Sequence, residues 1–115
     1  MLIISKPITL AQLKLEAAKV FGEMVKAVVD VSLGIMAING ELHADEEALL
    51  LQNGSQQKDL WGINLYPDLF GDDDWLEFDS MINLRPSGGN NSRSVDDNKM
   101  QILIRKVVNN LVTKS

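Results

Sequence analysis

Cysteine is absent from this chain, which removes disulfides, thiolate nucleophiles and zinc–thiolate centres from consideration. Histidine occurs once, at His43. One imidazole cannot complete a multi-histidine metal site, so any metal would be held by carboxylates and water, as Mg²⁺ or Mn²⁺ prefer. The motifs assign no metal ligand set and no cofactor. A basic surplus is lacking as well: 11 Lys and Arg stand against 16 Asp and Glu, a net charge of −5. Nucleic-acid phosphates are bound by basic patches, so nucleic acid is a disfavoured partner. No window approaches the ~18 consecutive apolar residues of a membrane helix. Met1 to Pro7 has neither a basic start nor a long apolar stretch. The chain reads as soluble, unexported and cytoplasmic, with no membrane partner.

What is present fits a single domain over residues 1–115, since 45% of the residues are apolar and the length suffices for one two-layer core. Thr9 opens a first helix, about 9–22, with Gln12 placed to complete a capping box and Ile8 and Leu13 as a hydrophobic staple. Leu10, Leu13, Ala17, Val20, Phe21 and Met24 repeat at helical spacing, and Gly22 lies near the helix end. Val25 to Val31 and Ile35 to Ile38 flank Ser32-Leu33-Gly34 and predict a tight antiparallel hairpin that Asn39-Gly40 ends. Lys26 and Asp30 share a parity that reads as a partly wet face.

Asp45 to Gln52 has an acidic first turn and a glycine stop at Gly54, which predicts two turns of helix; a strand over Ala48 to Gln52 is the alternative. Leu60 to Tyr66 alternates, with Trp61, Ile63 and Leu65 on one face, and Pro67 closes it. Trp75 to Arg85 alternates in the same way before Pro86. A last helix starts at about Asp96, with Val95 and Met100 as its staple, and ends near Val112. The order α-β-β-α-β-β-α predicts an α+β, two-layer fold in which helices cover one face of a mainly antiparallel four-stranded sheet. Asn64, Tyr66, Asp79, Asn83 and Arg85 then point away from the helices.

The unusual residues cluster between Gly40 and Arg93, which hold the only His, both Trp, the only Tyr and six of the eight Gly. Arg85 offers a planar fork for carboxylate or phosphate, and Asn64 and Asn83 offer both donor and acceptor. Asn is a poor strand former, so two within strands ask for a reason; a solvated sheet face is the plainer account of the same polarity. His43 lies between Glu41 and Asp45, a setting for a general base oriented by a carboxylate, although a lone His beside a turn is more often structural. Asp72-Asp73-Asp74 lacks the ligand register of a calcium loop and reads as a solvated acidic turn. Gly88 to Arg93 precedes a helix, where free amides, Arg85 and Arg93 suit an anion, but it lacks the Walker lysine and the dinucleotide glycine spacing. Asp96 and Asp97 compete with any anion there. No Gly-x-Ser-x-Gly elbow occurs, and Trp61 and Trp75 read as core or core-edge aromatics.

Three stretches carry a resemblance: Gly-Glu-Leu-His-Ala-Asp (Gly40 to Asp45), Asp-Leu-Trp-Gly-Ile-Asn-Leu-Tyr-Pro (Asp59 to Pro67) and Phe-Asp-Ser-Met-Ile-Asn-Leu-Arg-Pro (Phe78 to Pro86). With them the chain resembles a family of small uncharacterised bacterial proteins over about Met24 to Leu111. The resemblance implies no activity. It implies recurring positions at Glu41, His43, Asp45, Trp61, Asn64, Tyr66, Pro67, Asp79, Asn83, Arg85, Pro86 and Asn91.

The leading expectation is a ligand- or protein-binding module that uses the polar sheet face and adjacent loops. Its candidate binding residues are Glu41, His43, Asp45, Asn64, Tyr66, Asp79, Asn83, Arg85, Asn91 and Arg93, and its partner is another protein or a small anionic molecule. The alternatives are a small enzyme, with His43 as base or metal ligand and Arg85 stabilising an anion, and a structural domain that forms a homodimer.

Overall fold

The computed structural model describes residues 1–115. In chain order the elements are β1 (Leu2–Ile4), β2 (Ile8–Thr9), α1 (Leu10–Val20), β3 (Val25–Asp30), β4 (Ile35–Ile38), α2 (His43–Gln52), β5 (Leu60–Leu65), β6 (Leu76–Glu77), α3 (Asn98–Leu111) and β7 (Val112–Thr113). Five strands form an antiparallel sheet in the order β1-β4-β3-β5-β6. Strands β2 and β7 form a separate parallel pair.

Local sequence explains the first helix. Thr9 N–H donates to Gln12 Oε1 at 2.8 Å and Gln12 N–H donates to Thr9 Oγ1 at 3.1 Å, the reciprocal capping box that the spacing predicts. Leu13 and Ala17 of α1, with Ile104, Val108 and Leu111 of α3, pack on Val25, Ala27, Val29, Ile63 and Leu65, the inward parity of β3 and β5. Trp61 and Trp75 are buried in the same core.

The architecture departs from expectation in three ways. The sheet has five strands, not four, and the extra edge strand β1 lies in a stretch too short to show a period before Pro7. The helices do not share one face. Leu50 of α2 packs with Val28, Ala37 and Leu60, the opposite parity, so the sheet centre lies between helices on both sides. The parity of Lys26 and Asp30 is wet only at Lys26, which is half-buried at the strand start: Asp30 is buried, accepting from Ser32 and Leu33 N–H and from Ser55 Oγ.

The third departure is Trp75 to Arg85. Only Leu76–Glu77 is strand, pairing with Asn64 and Leu65, and the chain then turns through a short 3-10 turn at Met81–Asn83. The reason lies at Gly62, where a Cβ would stand 2.5 Å from Ser80 Cβ. Ser80 packs directly against the bare glycine backbone, so this segment closes over β5 and does not run beside it. Where β6 stops, side chains take over the open edge of β5. Asn83 exchanges two hydrogen bonds with Gly62, and Arg85 donates to the Leu60 carbonyl at 2.8 Å.

The stretch that could be helix or strand is helix, beginning at His43. Its first turn carries a buried acid, Glu46, whose Oε2 accepts from Gly40 N–H at 3.0 Å. Its Oε1 has no partner. A Cβ at position 40 would stand 2.7 Å from Glu46 Cγ, so glycine is needed to admit the carboxyl.

Candidate functional site

On the α2 side of the sheet, the start of α2, the ends of β3 and β5, and the crossing segment after β6 enclose a cleft of about 560 Å³. Strand register sets its floor. Lys26 of β3 lies opposite Asn64 of β5, which in turn lies opposite Glu77 of β6, so three polar side chains share one row across the sheet. His43 enters from the first turn of α2, and Tyr66, Asp79, Ser80 and Arg93 complete the wall.

The acidic side of the cleft is tightly bonded. Asn64 Nδ2 donates to Glu77 Oε1 at 2.8 Å, and the Tyr66 hydroxyl donates to the same oxygen at 3.1 Å. Burial first, then the bond and charge of Glu77, hold the Tyr66 phenol above its usual pKa. Tyr66 is thus a donor here and not a base. Asp79 Oδ1 accepts from Arg93 Nε at 2.8 Å in a half-open ion pair. The Arg93 backbone is anchored too, its carbonyl accepting from Ser80 N–H at 3.0 Å and from Asn83 Nδ2 at 3.0 Å.

Two groups lack a close partner. Asn64 is only 7% exposed, yet its Oδ1 is buried without a hydrogen-bond partner. Such an acceptor is costly unless a donor reaches it. Lys26 has no carboxylate within ion-pair distance; its ammonium lies 5.3 Å from the centre of the Phe21 ring.

His43 Nε2–H donates to the Ile63 carbonyl at 2.8 Å. A carbonyl only accepts, so the proton sits on Nε2 and Nδ1 keeps the lone pair. Burial lowers the His43 pKa below its usual value, helped by the Lys26 charge, while the Ile63 carbonyl, the Asp79 carboxylate and the Asn64 side chain pull the other way. The ring is neutral at physiological pH. It can accept a proton, but it is held by the backbone rather than by Glu41 or Asp45, both of which are exposed.

The expected site residues therefore separate. His43, Asn64, Tyr66, Asp79 and Arg93 meet in the cleft. Asn83 is fully buried and spends its amide on Gly62 and Arg93. Arg85 lines a different cavity with Trp61, so His43 and Arg85 do not face one centre. Asn91 is exposed and bonds through its N–H to Asp96 Oδ2, which also occupies the amide end where an anion would sit. Glu41 and Asp45 lie outside the cleft. Sequence reasoning missed Lys26, Glu77 and Ser80. The parity of Lys26 and Glu77 was readable, but their meeting depends on the register of three strands; Ser80 falls on the opposite parity of its run and reaches the cleft only because the chain leaves the sheet after Glu77. No group of three or more His, Asp or Glu side chains is placed to hold a metal ion, and no helix is long and apolar enough to cross a membrane.

Fold and cleft define a small α+β protein with a polar, mixed-charge cleft beneath a helix start. Residues 2–111 match the family described as Protein of unknown function (DUF5674), and the chain belongs to that family. The match takes in β1 and α1, which the motif resemblance left out. Neither a curated protein nor a solved structure matches the chain.

Proposed function

We propose that this chain is a binding module for a small anionic molecule, seated in the cleft between α2 and the segment after β6. Lys26 carries the reading: a cation near the start of the central strand β3, lining a cleft of about 560 Å³, with no carboxylate within ion-pair distance. A cation so placed favours an anion from outside. Arg93, paired with Asp79, lies in the same wall, and the buried Asn64 Oδ1 lies beside His43. A small carboxylate or phosphate meets the demand of Lys26. A cytoplasmic place and organisation as one domain belong to the same reading.

The test is a thermal-shift panel of small hydroxy acids, amino acids and phosphate esters on the wild-type chain and on Lys26→Met. Stabilisation by one class, lost in Lys26→Met while the unliganded melting point stays near wild type, supports the reading. A ligand response that survives Lys26→Met, or no response across the panel, refutes it.

An enzymatic reading has one observation in its favour, the neutral His43 with its free Nδ1. In it His43 acts as the base, and Lys26 and Arg93 replace Arg85 as the groups that stabilise negative charge. Turnover of a bound ligand that His43→Gln abolishes without weakening binding would favour it over simple binding.

A further inference from the structure

Arg85 is a half-buried cation with no counter-ion. Its guanidinium lies over the Trp61 ring, 4.1 Å from the ring centre, and donates to the Gln57 and Leu60 carbonyls at 2.7 and 2.8 Å. Two neutral acceptors fix its position and leave its charge unanswered, since no carboxylate lies within ion-pair distance. Glu47 supports the charge only through space, and burial works against it. Of the five guanidinium N–H groups, two are committed and three remain.

Arg85 lines a cavity of about 280 Å³ together with Trp61 and with Lys58, whose ammonium is paired with Asp59 at 3.2 Å; the lining itself contains no Asp or Glu. Trp61 is only 9% exposed, and its indole Nε1–H is buried without a partner. The rim is rigid. Asn90 is buried and its amide donates to the Asn83, Ser92 and Ser94 carbonyls at 2.7, 3.0 and 2.8 Å, which fixes the loop before any ligand arrives. A preformed, acid-free hollow with a stacked guanidinium matches the fork geometry of a tetrahedral oxyanion.

We propose that this second cavity binds a phosphate or phosphoryl group, with Arg85 as the principal ligand; Lys58 at the mouth is already paired with Asp59 and is not needed as a ligand. It is separate from the cleft of Lys26 and His43 and does not rest on the function argued for that cleft. Its volume admits the oxyanion with a short carbon chain attached. Ser87 is exposed on the turn at Pro86–Gly88 and marks the entrance without being needed as a ligand.

The experiment is calorimetric titration of the full chain with inorganic phosphate and, separately, glycerol 3-phosphate, at ionic strength held constant with chloride. Trp61 fluorescence is followed in parallel. Saturable binding is expected, weakened about tenfold or more by Ser87→Asp, which hangs a competing carboxylate over Arg85, and retained in Ser87→Asn. Equal affinity for the two probes assigns the free ion, and tighter binding of the ester assigns a phosphomonoester. No saturation by either probe overturns the proposal, as does equal binding by Ser87→Asp and wild type. Phosphate binding that disappears in Lys26→Met belongs to the cleft and also overturns it.

Discussion

Gly62 and Asn83 pair as though Asn83 were a strand of one residue. Gly62 N–H donates to Asn83 Oδ1 at 2.8 Å, and Gly62 O accepts from Asn83 Nδ2 at 2.9 Å. The carboxamide presents the same donor and acceptor that a neighbouring peptide would, and Nδ2 also serves the Arg93 carbonyl. Asn83→Ala leaves those backbone groups buried without partners. A loss of about 2–4 kcal/mol is expected in urea unfolding. A change within about 0.5 kcal/mol, the usual size for a surface substitution, would sink this account.

Glu46 gives the protein a downward slope of stability with pH. Burial, the largest influence, raises its pKa from 4.5 to about 9, against the opposing Gly40 N–H and Lys26 charge. Its contribution is fully present below the unfolded value, because both states then hold the proton. As pH rises the unfolded chain releases that proton first, so stability falls by up to about 1.4 kcal/mol per unit until the folded value is passed. Glu46→Gln keeps the acceptor for Gly40 N–H and cannot ionise. Urea midpoints at pH 5.5 and pH 8 are expected to differ less in Glu46→Gln than in wild type; parallel pH dependence in the two proteins would rule out the buried neutral acid.

His43 titrates in the opposite sense with respect to stability. Its folded pKa is lowered, so the stability tied to the neutral ring is present above 6.5 and is lost as pH falls through the folded value. Its neighbours set the direction of any change. Removing the Lys26 charge by Lys26→Met raises the His43 pKa, and removing the Asp79 charge by Asp79→Asn lowers it. Proton NMR of this only histidine reads both shifts directly, and movement of both in the same direction would show that the ring does not face these two charges.

Legibility of the fold followed the range of the signals. Thr9 and Gln12 announce their capping box because both partners lie within one turn, and the β-branched run from Val25 announces a strand because its residues face a core alone. Trp75 to Arg85 carries an equally regular alternation and is mostly not strand. Alternation says which residues share a side, but it cannot say whether a ladder partner is free. Here Ser80 must sit on Gly62, a contact across eighteen positions that no local pattern encodes. The cleft was half legible for the same reason. Asn64, Tyr66 and Asp79 stand out as polar residues in or beside alternating runs, whereas Lys26 looks like an ordinary solvated lysine until register sets it opposite Asn64. Asn83 and Arg85 stand out equally, yet the Asn83 amide is spent on the backbone of Gly62 and Arg93, and Arg85 is held by two backbone carbonyls at a different cavity.

The side-chain cover on β5 also governs how the protein meets other copies of itself. Leu-Trp-Gly-Ile-Asn-Leu is β-prone and without charge, the composition of a segment that stacks readily into cross-β fibrils when its edge is bare. Asn83 and Arg85 occupy the hydrogen-bonding groups of its first half, and a second chain cannot add a strand there while they remain in place. The two residues that complete the sheet are therefore also its guard against aggregation.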